Sequence, residues 1–77
     1  MHDYNIATSA DNDIFEDVCG KIENSASALT KEKLLIDVDG SLIQRYASES
    51  EKITVFNDYE VDAVYVKSSI ELPILSA

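Results

Sequence analysis

An α+β fold, with one N-terminal helix packed on a four-stranded antiparallel meander sheet as a two-layer sandwich, follows from three observations on this sequence. One stretch carries apolar residues at helical spacing, the chain beyond Lys33 switches to alternation of period two, and an Asp39-Gly40 pair separates two of the alternating runs.

The helix is the best-defined element. Ile14, Phe15, Val18, Cys19 and Ile22 fall on one face, while Asp13, Glu16, Asp17 and Glu23 point elsewhere. Thr8, Ser9, Asp11 and Asn12 all favour the N-cap position, and Thr8 followed by Asp11 resembles a capping box with a shorter acid, which predicts a helix start within this segment. Gly20 weakens the helix interior, and the Ser- and Ala-rich segment 24–30 reads as helix end and linker. Before the helix, residues 1–7 predict a short strand or an extended arm.

Leu34, Ile36 and Val38 alternate with Leu35 and Asp37, and Asp39-Gly40 is the pair preferred in two-residue type I′ hairpin turns. The second strand then runs from Leu42 to Ala47, with Ile43, Arg45 and Ala47 on one face and Leu42, Gln44 and Tyr46 on the other. The polar stretch 48–52 reads as a loop, Ile53–Phe56 as a third strand, Asn57-Asp58 as the start of a turn and Val61–Lys67 as a fourth strand. Residues 70–77 form an apolar tail in which Pro73 argues against a helix interior or a central strand. With 77 residues, 45% of them hydrophobic, the chain reads as one domain with a genuine core.

Charge is the strongest functional clue. Fifteen Asp and Glu against six Lys and Arg give a formal net charge of -9, and the first twenty residues hold five acids and no Lys or Arg. Such a surface repels nucleic acid and most membranes and attracts basic protein surfaces. The single cysteine, Cys19, excludes an intramolecular disulfide, fits a reducing cytoplasm and, lying on the apolar stripe, reads as a small buried hydrophobe. No signal-peptide pattern and no membrane-length apolar run is present, so a soluble cytoplasmic protein is expected.

Catalytic and metal chemistry find little support. The string Leu34–Leu42 with its Asp37-Val38-Asp39-Gly40-Ser41 resembles the first motif of haloacid-dehalogenase-type phosphatases, which implies Asp37 as nucleophile, Asp39 as acid/base and a Mg²⁺ ion on a parallel sheet. The 36 residues after Ser41 leave no room for the rest of that domain and begin with another strand, so the hairpin reading prevails. A calcium loop opening at Asp37 fails because its sixth and twelfth positions hold Leu42 and Ser48 where Gly and Glu are required. His2 and Cys19 are too few soft ligands for zinc, His2 sits at an end expected to be mobile, and two glycines cannot build a phosphate loop. The expectation is a protein that is not an enzyme and carries no metal or cofactor.

The acidic clusters themselves remain. Asp11, Asp13, Glu16 and Asp17 form one, and Asp58, Glu60 and Asp62 the other, with Glu49 and Glu51 in the preceding loop. The leading expectation is that these carboxylates stand in for nucleic-acid phosphates and occupy the groove of a basic nucleic-acid-binding protein. Small acidic phage anti-CRISPR and anti-restriction inhibitors work in this way, a likeness of class and not of motif. Tyr4, Tyr59 and Tyr65 are candidate aromatic anchors. The alternatives are an immunity or antitoxin protein for a nuclease toxin, and a homo-oligomer, such as a homodimer, that pairs through the open strand edge or the tail Ile70–Leu75. Direct contact with nucleic acid or membrane is not expected.

Overall fold

The computed structural model describes residues 1–75. Strand β1 (His2–Ala7) precedes helix α1 (Asn12–Ser25), and then come β2 (Thr30–Lys31), β3 (Leu35–Ile36), β4 (Leu42–Ala47), β5 (Lys52–Asp58) and β6 (Ala63–Ser68), followed by a 3₁₀ turn at Pro73–Leu75. All pairings are antiparallel, in the order β1-β6-β5-β4, with β2 and β3 both lying along the outer edge of β4. The α+β class stands, but the sheet has six strands where the sequence predicts four.

Two physical causes account for the extra strands. Residues 2–7 pair with β6 from Ser68 to Val64, so the N-terminal segment is a sheet edge and His2 is held within it opposite Ser68. The outer strand beside β4 begins earlier than expected, inside the stretch read as linker, and is interrupted. Thr30 and Lys31 pair with Ala47 and Tyr46, while Leu35 and Ile36 pair with Ile43 and Leu42, so residues 32–34 face only Gln44 and Arg45. That surplus residue is a β-bulge. The buried Gln44 amide spans the gap by donating to the backbone carbonyl of Glu32 at 2.6 Å.

The turns also depart from the sequence reading. Asp37 and Ser41 close a loop of three residues, with Asp37 N–H donating to Ser41 O and Gly40 N–H to Asp37 O. A type I′ turn needs positive φ at both central residues, and here Gly40 has φ 88° while Asp39 is not in that region. This hairpin is therefore the three-residue kind with glycine in its last position. Strand β5 runs on through Asn57 and Asp58, and Val61 lies in the following turn, not in a strand.

Helix α1 starts at Asn12, because the chain is still paired to β6 at Ala7 and the backbone amides of Ala10 and Asp11 are bound by the side chains of Asp62 and Asn57. Asp11, not Thr8, is the cap: its carboxylate accepts from the amides of Asp13 and Ile14 at 2.8 and 3.0 Å. Phe15, Val18, Cys19 and Ile22 are buried as the helical period requires, packing against Tyr46, Ile53, Val55 and Val66 on one face of the sheet. Each such side chain contributes about 1.5–3 kcal/mol when fully buried. Leu72 from the tail completes this core, its backbone amide donating to the Tyr4 hydroxyl at 2.7 Å. Residues 76 and 77 of the predicted tail lie outside the described residues.

One polar group anchors the helix C-terminal half. The Tyr46 hydroxyl, rising from the sheet, donates to Glu23 Oε2 at 2.6 Å, and Lys31 Nζ stands 3.1 Å from the same oxygen. The Tyr46 hydrogen bond, then Lys31, holds the Glu23 carboxyl below its ordinary range. Burial pushes the Tyr46 phenol well above its usual value, so it remains a donor. Because the folded pKa of Glu23 is depressed, the unfolded chain binds the proton more readily. The stabilisation is present above the unfolded carboxylate value and is lost as pH falls through the lower, folded value. Acid titration of thermal stability is expected to show a steeper loss below about pH 4.5 in the native protein than in Glu23→Gln, read by circular dichroism. A second expectation concerns Gly20, where an added Cβ meets nothing within 4 Å. Gly20→Ala should stabilise the fold by about 1 kcal/mol in urea unfolding.

Candidate functional site

Strand directions decide which loops are neighbours. In this meander the link 8–11, the hairpin loop 37–41 and the turn 59–62 all emerge at the end of the sheet where α1 begins. Polar contacts then sew the three together. Asn57, fully buried near the end of β5, accepts from Asp11 N–H at 2.9 Å and donates through Nδ2 to Asn12 Oδ1 at 2.7 Å. The Tyr59 hydroxyl donates to the same Asn12 oxygen at 3.1 Å, and the Tyr59 backbone amide donates to Ser41 Oγ at 2.9 Å. Asp62, at φ 56°, accepts from Ala10 N–H at 2.8 Å.

The consequence is one continuous acidic pole. Asp11 and Asp13 come from the helix start, Asp37 and Asp39 from the hairpin, and Asp58, Glu60 and Asp62 from the turn, with no Lys or Arg in any of those segments. The six cations, Lys21, Lys31, Lys33, Arg45, Lys52 and Lys67, lie elsewhere along the chain. Among the described residues the ion pairs are Lys21–Asp17 and Lys31–Glu23, so no cation neutralises the pole. Internal hydrogen bonds hold several of these groups in place. Asp58 Oδ1 accepts from Glu60 N–H at 2.9 Å, and its Oδ2 accepts from the Tyr65 hydroxyl at 2.9 Å. Burial, followed by that bond to Asp58, pushes the Tyr65 phenol up to about 12. The amide of Ser41 donates to Asp39 and holds its carboxyl below the usual range, so this acid stays ionised.

A small cleft of about 120 Å³ opens within the pole, with Asp37, Asp39, Asp58 and Glu60 around its polar side and Phe56 and Tyr65 on its apolar side. The two rings are stacked with centroids 4.6 Å apart. Carboxylates beside aromatic faces form the environment that suits a guanidinium or ammonium head, which gains both charge pairing and cation–π attraction. Beside the carboxylates the pole exposes Tyr59, Val61 and Val38, so apolar contact area lies within the charged surface. Among the described residues no three His, Cys, Asp or Glu side chains converge in a way that would hold a metal ion.

The predicted site residues separate accordingly. Asp11, Asp13, Asp58, Tyr59, Glu60 and Asp62 are brought together at the pole. Glu16 and Asp17 are carried away from it along the helix: Glu16 borders the groove beside Leu34, and Asp17 pairs with Lys21 at 3.2 Å. Of the three tyrosines proposed as anchors, Tyr59 is exposed, Tyr65 lines the cleft, and Tyr4 binds the tail through Leu72. Asp37 and Asp39 join the pole although the sequence reading places them in a hairpin turn, a rejected catalytic motif and a rejected calcium loop, and not among the acidic clusters. The signal was available, because alternate turns of a meander share one end of the sheet.

No protein-family model, curated protein or solved structure matches this chain, so its own geometry carries the functional reading.

Asn57 is the residue through which the pole is assembled. Asn57→Ala leaves the Asp11 amide without its acceptor and Asn12 Oδ1 with only the Tyr59 hydroxyl as donor, and should cost about 1–3 kcal/mol in denaturant unfolding. Hydrogen exchange at the amides of Ala10 and Asp11 should accelerate more than at the centre of β5.

Proposed function

We propose that this protein is a non-enzymatic binding module whose acidic pole docks on a cationic surface of a nucleic-acid-binding protein and blocks it, in the manner of small acidic anti-defence inhibitors. The observation that supports this most is the gathering of Asp11, Asp13, Asp37, Asp39, Asp58, Glu60 and Asp62, from three separate segments, at an end of the molecule that holds no Lys or Arg. Carboxylates crowded in this way repel one another and lower fold stability, a cost that a cationic partner would offset.

Each contributor has a distinct role in this reading. Asp39, Asp58 and Glu60 surround the cleft and receive one Arg or Lys head against the Phe56–Tyr65 stack. Tyr59 and Val61 supply the apolar contact that desolvates the centre of the interface. Asp13 and Asp62 form the outer rim, where charge accelerates encounter more than it tightens the complex. Phosphate mimicry needs an array and not a point of convergence, and the spread of carboxylates over three segments suits the backbone of a nucleic acid better than a single ion.

The test is capture of nucleic-acid-binding proteins by the immobilised chain at low and at high salt, with duplex DNA or RNA as competitor. Capture should fall steeply with salt, should be reversed by the competitor, and should be lost in the quadruple variant Asp39→Asn, Asp58→Asn, Glu60→Gln, Asp62→Asn. Asp62 also anchors Ala10, so the triple variant that retains Asp62 serves as the folding control and should lose most of the capture. A partner that both variants hold at high salt as tightly as the native protein holds it at low salt refutes charge mimicry.

A further inference from the structure

The outer edge of the sheet is unlike the rest of the surface. Every residue from Lys31 to Gly40 is exposed, and within that run Leu34, Leu35, Ile36 and Val38 leave 38, 40, 68 and 103% of their surface in solvent. Strand β3 pairs with β4 on one side only. We infer that this edge is the interface of a homodimer in which β3 of one copy pairs antiparallel with β3 of a second copy, about a two-fold axis through Leu35.

Backbone parity selects that axis. Asp37 N–H is turned inward to Ser41 O, and antiparallel pairing alternates inward and outward groups. Leu35, opposite Ile43, therefore also bonds inward, while Ile36 directs its amide and carbonyl away from β4, and the same alternation carried back one residue turns Leu34 outward too. Two such edges match only if outward residues meet outward residues. A centre on Leu35 sets Leu34 opposite Ile36 of the second copy, and Ile36 opposite its Leu34. A centre between two residues sets outward groups against inward ones and forfeits the hydrogen bonds.

Side chains select among the centres that parity allows. With Leu35 on the axis, Lys33 of each copy lies opposite Asp37 of the other, giving two cross-strand pairs of opposite charge. Moving the centre by one residue in either direction sets Leu35 against Asp37 or against Lys33. Among the described residues Lys33 has no ion pair, which suits it to this role. Faces agree as well. Leu34 borders the groove along α1 with Phe15, Cys19 and Leu42, and the partner copy's Ile36, arriving on the same face, covers that groove.

Long-range charge favours the same geometry. Two chains of formal charge -9 repel, and a parallel or pole-to-pole contact would bring the acidic ends together. Antiparallel strands place the poles at opposite ends, with each hairpin loop directed toward the end of its partner that carries Lys31 and Lys33. Of the residues gathered at the pole the dimer engages Asp37 alone, so it does not depend on the proposed target.

Three measurements test it. Sedimentation across the micromolar range at physiological salt should show a concentration-dependent dimer, and a monomer throughout overturns the proposal. Lys33→Asp and Asp37→Lys, each alone, place like charges at both pairs and should weaken dimerisation roughly tenfold or more. An equimolar mixture of the two variants restores both pairs and should form a heterodimer of native strength. A dimer that neither reversal weakens overturns this register. Leu35→Cys places two thiols opposite each other at a site where Cα atoms are about 4.5 Å apart, within reach of a disulfide. Oxidation should link the chains covalently, with the buried Cys19 unreactive, and failure to cross-link while a dimer persists in solution overturns the Leu35 axis.

Discussion

A single buried amide, Asn57, sets the relation between helix and sheet on which the charged end depends. Its oxygen and nitrogen reach the backbone of Asp11 and the side chain of Asn12, so the first turn of α1 is fixed to the last residues of β5. A fully buried amide without partners is costly, and this one is satisfied only when the helix starts at that place. The apolar stripe from Phe15 to Ile22 binds the helix to the sheet, but hydrophobic contact is non-directional. Asn57 supplies the direction, and Tyr46 with Glu23 supplies a second fixed point further along the helix.

Charge distribution turns that registration into a polar molecule. The acids of the hairpin and of the β5–β6 turn would be scattered loops if the strands ran otherwise. With α1 fixed beside them they become one field. Short internal bonds orient these carboxylates, Ser41 N–H donating to Asp39 and the Tyr65 hydroxyl to Asp58, and the first holds the Asp39 carboxyl below its usual range. The positive end of the helix dipole partly offsets the repulsion near Asp11 and Asp13. The hydrophobic core therefore supports a surface whose like charges repel one another.

The two edges of the sheet differ in a similar way. Strand β1 alternates exposed polar residues with half-buried Tyr4 and Ile6, and its register shifts between Asn5 and Ala7. Strand β3 instead exposes neighbouring apolar residues bracketed by Lys33 and Asp37. Bracketing charges discourage indiscriminate edge pairing while still permitting a complementary one.

Much of the fold was legible from residue pattern, because helical and strand periodicity reflect burial on one face. The Phe15–Ile22 stripe, the antiparallel meander and the shared face of Leu42, Gln44 and Tyr46 needed nothing beyond spacing. The acidic excess was equally plain from composition. Local propensity failed where distant contacts competed with it: Thr8 lost the cap to Asp11 because Asn57 and Asp62 hold the preceding amides, and Asp39-Gly40 formed a longer loop than its dipeptide favours. The bulge opposite Gln44 had no local signature, and the union of Asp37 and Asp39 with the other acids was legible only through the meander's topology. Sequence by itself determined the apolar stripe that the helix buries and how much negative charge the chain carries. Tertiary structure alone decided where that charge is gathered, because pole and edge arise from strand register and from hydrogen bonds between segments more than forty residues apart.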